Sequence, residues 1–254
     1  MKKCCSLLRY FRRFRRLCCS NKKVEKTNCN GELHKNNPSS IISWNIQALF
    51  LFLFPQKMEN IIHELKNLQS DVICLQEVFE DSYKEQIIKE LKEKYPYYFI
   101  GTMDKKWKLG EDSGILILSK YDVKIEKEIL LDNFVFPDYF CSRSIIYFTI
   151  GEYNFATSHL QSNQEDVSKQ QLETLKKESP FEKYILLGDL NNNHSDEIMC
   201  VEKNNDTKTW NNDILDYILP INYNEIKLNV KVLPIDITNV TDHQPIFSTI
   251  TKND

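Results

Sequence analysis

The chain has 254 residues, 41% of them hydrophobic, which suits one large domain with a substantial core. It contains only six glycines, and neither G-x-x-x-x-G-K-S/T nor G-x-G-x-x-G occurs, which excludes the nucleotide-binding classes built on those loops. The net charge of −3 hides an asymmetry, because nine of the 33 basic residues and none of the 36 acidic ones lie in residues 1–24. Residues 25–254 therefore carry 24 basic and 36 acidic residues, a net charge of −12. Such an acidic body is a poor partner for a long polyanion, whereas the basic tail suits an anionic surface.

Residues 1–23 predict an amphipathic helix that tethers the protein to a membrane. Four arginines recur with the i, i+3, i+4, i+7 spacing that places them on one helical face: Arg9, Arg12, Arg13 and Arg16. The opposite face is apolar, and the segment contains two adjacent pairs of cysteines that are candidates for S-acylation: Cys4, Cys5, Cys18 and Cys19. The alternative is a disordered basic tail that binds RNA or has no function.

The expected organisation is this tether, a linker at 24–38 that is rich in Asn and Lys, and a folded domain at 39–254. None of the eight cysteines forms a C-x-x-C pair, which argues against a structural zinc site. No apolar segment of the signal-peptide type follows the charged N-terminus. We therefore expect a cytoplasmic protein, peripheral on the cytosolic face of a membrane, that contacts the anionic surface through residues 1–23.

Strand and helix patterns alternate along the folded domain. Strands are predicted at 41–46, 71–75, 114–119, 144–150, 153–158, 184–187, 214–219, 226–233 and 245–250. Helices are predicted at 57–69, 81–94 and 165–178 from their apolar spacing. Strands outnumber helices and some are adjacent in sequence, which favours a mixed α/β sandwich over a doubly wound parallel sheet.

An apolar run at 48–54 lies between the first strand and the first helix. It is far shorter than the roughly 20 residues needed to span a bilayer. It predicts either a buried segment or a surface that contacts lipid beside the active site, and the sequence leaves both open.

Polar side chains lie at the ends of several predicted strands. Five of them follow a strand, namely Asn45, Glu77, His159, Asp189 and Asn191, whereas Asp242 and His243 precede the final strand. Any one of them alone is more often a surface or turn residue. Together they predict an active site, because residues at the ends of neighbouring strands converge when a sheet sets the strands side by side.

Seven sequence blocks resemble the endonuclease/exonuclease/phosphatase superfamily. In chain order they are SWNI (43–46), LQEV (75–78), SGILILSKY (113–121), TSHLQS (157–162), GDLN (188–191), LDYIL (215–219) and TDHQP (241–245). The resemblance implies a four-layer α/β sandwich of two mixed β-sheets flanked by helices. It also implies that residues 39–254 are the catalytic domain of a phosphodiesterase that depends on Mg²⁺, or on Mn²⁺.

The resemblance and the chemistry of the residues together indicate how substrate and metal are bound. Glu77 is the expected metal ligand and Asp242 a second one, since Mg²⁺ prefers oxygen ligands. The amides of Asn45 and Asn191 are expected to neutralise charge on the phosphate. His159 is expected to stabilise the transition state or to protonate the leaving oxygen.

The same reasoning indicates which residues activate water. His243, oriented by Asp216 or Asp242, is expected to take a proton from the attacking water. Asp189 is the competing candidate for this base, or the group that positions the water. The sequence shows no serine or cysteine nucleophile signature, which fits direct attack by water.

Three stretches resemble neutral sphingomyelinases within the superfamily: 71–97, 111–123 and 159–177. This likeness implies a membrane phospholipid substrate, with sphingomyelin hydrolysed to ceramide and phosphocholine. It also implies a possible additional divalent-ion site at three acids: Asp81, Glu111 and Asp112. The chain departs from these enzymes at 226–241, which contains no aromatic residue where they have an aromatic membrane-inserting hairpin.

Other functions remain open at the level of sequence. The main alternative is a nuclease or tyrosyl-DNA phosphodiesterase of the same superfamily, the one case in which nucleic acid is a partner. The acidic body argues against it, because enzymes that track phosphates need Lys and Arg near the groove. A phosphoinositide phosphatase and a catalytically dead, membrane-tethered binding module are less favoured. No obligate protein partner is inferred.

Overall fold

The computed structural model describes residues 36–48, 55–102, 112–133, 135, 141–201, 208–238 and 240–253. The tether predicted at 1–23, the linker up to residue 35, all but the first residue of the apolar run, and Glu111 lie outside the described residues. Within the described ranges, no helix is long and apolar enough to cross a membrane.

Six strands form the first β-sheet. They are β1 Ser40–Ala48, β2 Val72–Val78, β3 Tyr97–Ile100, β4 Leu116–Ser119, β10 Ile226–Val232 and β11 Ile246–Lys252. Their order in the sheet is β10-β11-β1-β2-β4-β3. Strands β1 and β2 are parallel and the other pairs antiparallel. Helix α1 (Pro55–Asn67) lies between β1 and β2, since a parallel pair requires a crossover connection.

Five strands form the second sheet, in chain order. They are β5 Lys124–Leu131, β6 Arg143–Ile150, β7 Tyr153–His159, β8 Tyr184–Asp189 and β9 Asp216–Ile221. Strands β7 and β8 are parallel and helix α3 (Glu165–Glu178) connects them; the other pairs are antiparallel. Both sheets are therefore mixed.

The two sheets pack face to face and each carries helices on its outer face. In β8, Ile185 and Leu187 belong to the core between the sheets, whereas Tyr184 and Leu186 pack on the side of α3. In β1, Ile42 and Trp44 pack towards α1 and α2 (Asp81–Leu91). Central strands buried on both faces are what a sheet covered on both sides requires. The predicted four-layer α/β sandwich is confirmed.

The predicted elements are present with ends shifted by a few residues. Three elements were not predicted from the sequence: β3, β5 and α4 (Ser195–Ile198). Strand β5 has the sequence KIEKEILL, and its charged residues are depleted in strands generally. It forms an edge of the second sheet, where charged side chains protect the unpaired backbone. Strand β3 is a four-residue edge strand and α4 a single turn, so neither gives a periodic pattern.

Candidate active site

The carboxyl ends of β1, β2, β7 and β8 meet at one edge of the sandwich. Strands β1 and β2 pack across the core on β7 and β8. Asn45 lies in β1 and Glu77 in β2, while His159 ends β7 opposite Asp189, which ends β8. The topology thus brings four of the residues singled out by sequence into one site.

Asn45 joins the two sheets at the centre of this site. Its buried Nδ2 donates hydrogen bonds to Oε1 of Glu77 at 3.0 Å and to Oδ2 of Asp189 at 2.9 Å. Its Oδ1 accepts a hydrogen bond from the backbone N–H of Gln47 at 3.0 Å. Both amide hydrogens are engaged. Asn45 therefore positions two carboxylates, and its amide N–H groups are not free for a phosphate.

Glu77 has an unusual backbone conformation. Its φ is 59°, in the left-handed region, and the register between β1 and β2 shifts between Asn45 and Ala48. Such a conformation costs about 1–3 kcal/mol and persists only where the surroundings over-determine it. The Glu77 side chain is 18% exposed, against 2% for Asp189. Glu77 is therefore the more accessible of these two carboxylates.

His159 is a buried imidazole that faces both carboxylates. Its Nε2 lies 3.7 Å from Oε1 of Glu77 and 3.5 Å from Oδ2 of Asp189. Its Nδ1 contacts Nη1 of Arg143. Because a guanidinium can only donate, Nδ1 is the acceptor and the hydrogen of the neutral ring resides on Nε2. Burial, followed by the charge of Arg143, holds the pKa of His159 well below its usual value.

His243 forms a buried pair with Asp216. Its Nδ1 lies 2.8 Å from Oδ2 of Asp216, and its Nε2 lies 3.8 Å from Oδ2 of Asp189. Its carbonyl oxygen accepts a hydrogen bond from Nε1 of Trp44 at 3.0 Å. Burial opposes protonation, but the carboxylates of Asp216 and Asp189 outweigh it and raise the pKa of His243 to about 10. Of the two acids expected to orient this ring, Asp216 is the one that contacts its nitrogen.

The donor set of the site fits a divalent cation. Burial raises the pKa values of Glu77 and Asp189, so their charged forms are costly without a nearby cation. Ligand atoms of Asp189, Asp216 and His243 also lie within 4.8 Å of one another. Since Asp216 and His243 already hydrogen-bond each other, the accessible Glu77 is the better candidate ligand. Carboxylate oxygens are the ligands that Mg²⁺ and Mn²⁺ prefer.

Comparison with known proteins places this arrangement in a family. The sequence pattern of the Endonuclease/Exonuclease/phosphatase family matches residues 42–243, which include every residue of the network described above. The chain belongs to this family. Members of this family are metal-dependent phosphodiesterases and phosphatases, and the chain is an enzyme of this kind.

Solved structures show the same fold. Beta toxin from Staphylococcus aureus, as a double mutant with bound magnesium ions, is 18% identical, with a TM-score of 0.67 over 84% of this chain and 99% of that one. Sphingomyelinase C from Streptomyces griseocarneus is 15% identical, with a TM-score of 0.65 over the same shares. Humanized TDP2 from D. rerio is 21% identical, with a TM-score of 0.61, again over 84% and 99%. At these identities the likeness establishes the fold alone. No curated protein matches the sequence.

Asn191 and Asp242 of this family member lie at the edge of the central network. Asn191 has a φ of 49°, and its Nδ2 donates to the carbonyl oxygen of Leu160 at 3.0 Å. Its backbone N–H donates to Oδ1 of Asp189 at 3.1 Å, so Asn191 fixes that carboxylate. Asp242 is exposed, and its Oδ2 accepts a hydrogen bond from Nε1 of Trp210 at 3.1 Å. It therefore lies on the exposed rim of the site.

Three further residues of the site were not predicted from the sequence. Arg143 begins β6, Trp210 lies with its ring centroid 6.2 Å from that of His243, and Lys57 lies in the first turn of α1. Nζ of Lys57 donates to Oε1 of Gln47 at 2.9 Å. Burial lowers the pKa of Lys57, and the carboxylates of Asp242 and Glu77 oppose that shift. Lys57 is thus a cation whose charge interacts with both expected metal ligands.

Two acids of the expected additional ion site, Asp81 and Asp112, converge on a lysine. Lys84 of α2 is buried, and its Nζ donates to Oδ2 of Asp112 at 2.6 Å and to Oδ1 of Asp81 at 3.2 Å. It also donates to the carbonyl oxygen of Phe79 at 2.8 Å. The ammonium group of Lys84 therefore occupies the space between these oxygens.

Proposed function

We propose that this family member hydrolyses sphingomyelin to ceramide and phosphocholine, with Mg²⁺ as its metal ion. The proposed reaction is supported by one observation. Glu77, Asn45 and Asp189 are hydrogen-bonded together beside two buried histidines, one with a lowered pKa and one with a raised pKa. The likeness in fold to a sphingomyelinase C, and to a beta toxin with bound magnesium ions, supports the choice of substrate and ion.

Glu77 would hold the ion at the mouth of the site, with Asp242 on the rim as a second ligand. When bound, the ion supplies Lewis-acid stabilisation of the negative charge that builds on the phosphoryl group. His159 donates a hydrogen bond from Nε2 to a phosphoryl oxygen, since Arg143 holds the hydrogen of its neutral ring on that nitrogen. A neutral His159 with a lowered pKa is suited to donating this hydrogen bond and poorly suited to acting as a general acid.

His243 is the proposed general base of the metal-bound enzyme, because the positive charge of a bound ion would oppose the carboxylates that raise the pKa of this ring in the metal-free protein. Asp216 accepts the hydrogen of Nδ1 and so leaves Nε2 to accept a proton from water. Asp189 lies 3.8 Å from Nε2 and stabilises the imidazolium that forms. Water attacks phosphorus and gives a proton to Nε2 of His243, while the bond between phosphorus and the ceramide oxygen breaks. The ceramide oxygen takes up a proton from solvent, and His243 then returns its proton to solvent.

The distribution of charge supports a lipid substrate. Residues 25–254 carry a net charge of −12, which disfavours an extended polyanion on the body. Sphingomyelin is zwitterionic and is met at a membrane surface, where the basic residues 1–24 favour binding. We propose that residues 1–23, with S-acylation at Cys4, Cys5, Cys18 and Cys19, hold the enzyme on the cytosolic face of a membrane.

A phosphodiesterase acting on DNA is the second candidate. The likeness in fold to TDP2 supports it, at an identity slightly above that of the sphingomyelinase. Arg143 and Lys57 supply positive charge at the site, but Arg143 is buried against His159 and Lys57 is hydrogen-bonded to Gln47. Neither residue forms a basic track along which a nucleic-acid backbone would lie.

Parallel assays on three diesters test the proposal. Sphingomyelin vesicles, DNA and a 5′-phosphotyrosyl-DNA oligonucleotide are incubated with the enzyme and Mg²⁺, and phosphocholine, DNA fragments and tyrosine are measured. We expect phosphocholine release, with losses of about 10²–10⁴-fold in His243→Ala and at least as large in Glu77→Gln. Asp166→Asn, an exposed acid of α3, is the control with unchanged turnover. DNA cleavage or tyrosine release without phosphocholine release would refute the lipid substrate.

A further inference from the structure

The three oxygens around Lys84 form a complete binding site for its ammonium group. Two of them are carboxylate oxygens, from Asp81 and Asp112, and the third is the backbone carbonyl oxygen of Phe79, all within 3.2 Å of Nζ. An ammonium group has three hydrogens, and each has an acceptor here. The Lys84 side chain is only 2% exposed, so these contacts offset the cost of burying its charge.

This site is connected to the candidate metal ligand by short backbone links. Phe79 lies two residues after Glu77, and the N–H of the intervening Val78 donates to the carbonyl oxygen of Gly114 at 2.8 Å. The N–H of Gly114 donates in turn to Oδ1 of Asp112 at 2.8 Å. The ammonium group of Lys84 therefore contacts the segment after Glu77, through Phe79, and the segment before β4, through Asp112.

Close packing reinforces these links. Gly114 has a φ of +66°, and a Cβ placed there would lie 2.7 Å from the Phe79 ring. Glu77, whose backbone is in the left-handed region, directly precedes this packed segment. A strained backbone persists only while its neighbours are fixed, and Lys84 is the charged group that fixes them.

The oxygen set around Lys84 is also one that a divalent cation would accept. Two carboxylates and a carbonyl oxygen are typical ligands of Mg²⁺, Mn²⁺ and Ca²⁺. If the ammonium group were removed, two acids would face each other without a cation, one of them with its side chain only 14% exposed. That arrangement is unfavourable until a cation enters.

We propose that Lys84 is a positioning residue that acts as a built-in cation. It fixes the backbone around Glu77 and makes that end of β2 independent of a second divalent ion. The inference rests on Glu77 holding the catalytic ion, and it does not depend on which diester is hydrolysed.

Calorimetric titration of the full-length protein with Mg²⁺, and separately with Ca²⁺, tests the proposal. For the wild type we expect binding that Glu77→Gln abolishes and Asp112→Asn does not. In Lys84→Ala we expect an additional ion whose binding disappears in the double variant Lys84→Ala/Asp112→Asn. We also expect the affinity of the Glu77 site to fall about 10–100-fold in Lys84→Ala while the additional site is empty, the usual effect of losing a group that supports a metal ligand. Filling the additional site with Ca²⁺ or Mg²⁺ should restore that affinity.

One control variant and one measurement on the wild type separate this role from a general loss of structure. Lys89→Ala, an exposed lysine of the same helix, should match the wild type in every titration. A second, Asp112-dependent ion in the wild type would overturn the proposal, and this measurement does not require any Lys84 variant to fold. So would a Lys84→Ala protein that binds ions as the wild type does. Because binding is read directly, a failed lipid assay leaves this test intact.

Discussion

Two buried histidines, His159 and His243, lie close to Asp189, and their pKa values are shifted in opposite directions. Nε2 of His159 is 3.5 Å, and Nε2 of His243 3.8 Å, from the same carboxylate oxygen. Arg143 contacts the far nitrogen of one ring, whereas Asp216 contacts the far nitrogen of the other. A cation beside an imidazole disfavours its protonation and an anion favours it. Neighbouring groups of opposite charge therefore assign one ring to hydrogen-bond donation and the other to proton transfer.

Asp216→Asn should lower the pKa of His243 in the metal-free protein by one unit or more, about the effect of losing one contacting carboxylate. The raised pKa of about 10 means that His243 contributes stability below pH 6.5, its ordinary value, and that this contribution is lost as the pH rises through about 10. NMR titration of the histidine ring measures the pKa, and chemical unfolding between pH 6.5 and 10 measures its effect on stability. Asp166→Asn is the control. An unchanged His243 pKa in Asp216→Asn would contradict the assignment.

Sequence patterns could predict the residues at strand ends but not the groups that tune them. Asn45 and Glu77 stand out as members of a set of polar residues at strand ends, although either one alone is more often a surface residue. Arg143 begins an apolar strand and Lys84 lies on an amphipathic helix, where a basic residue is ordinarily a solvated one. Their contacts come from residues distant in sequence, Arg143 with His159 and Lys84 with Asp112. Only the fold shows these contacts.

At the scale of elements, the parallel pair β7–β8 sets the distance between His159 and Asp189. Ser158 is paired with Gly188 one position before these residues. A Cβ on Gly188 would overlap the carbonyl oxygen of Ser158, and the φ of Gly188 is +147°. The glycine before Asp189 therefore permits the close approach of the two strands. The GDLN block is visible in the sequence, but only the pairing of β7 with β8 explains why a glycine precedes Asp189.

Gly188→Ala should destabilise the protein by about 2 kcal/mol or more, because the added methyl group meets backbone and not a movable side chain. Urea unfolding measures the change, and phosphodiester turnover should fall with it as Asp189 is displaced. Gly101→Ala is the matched control, because its Cβ would meet the Ser113 hydroxyl, which can rotate away. Equal stability of the two variants would show that β7 and β8 tolerate separation at this position.

At the scale of the whole molecule, the sequence predicted the central strands of the two sheets better than the edge strands β3 and β5. Continuous apolar runs predicted the central strands, because these are buried on both faces. The edge strands β3 and β5 carry less of the core, so their patterns are weak. The separation of charge between residues 1–24 and the rest is a property of the whole chain and is read from the sequence alone.

This separation of charge leads to the last prediction, for the proposed tether. Replacing all four tail cysteines with serine, at Cys4, Cys5, Cys18 and Cys19, should shift the protein from the membrane fraction to the soluble fraction of cells. A basic segment alone binds anionic membranes reversibly, and stable anchoring requires a second signal such as an acyl chain. The residual binding of the serine variant should therefore be released by high salt, whereas the wild type should resist it. Cys141→Ser/Cys200→Ser, outside the tail, should behave as the wild type. A wild-type protein that is already fully soluble in cells would show that residues 1–23 do not act as a tether.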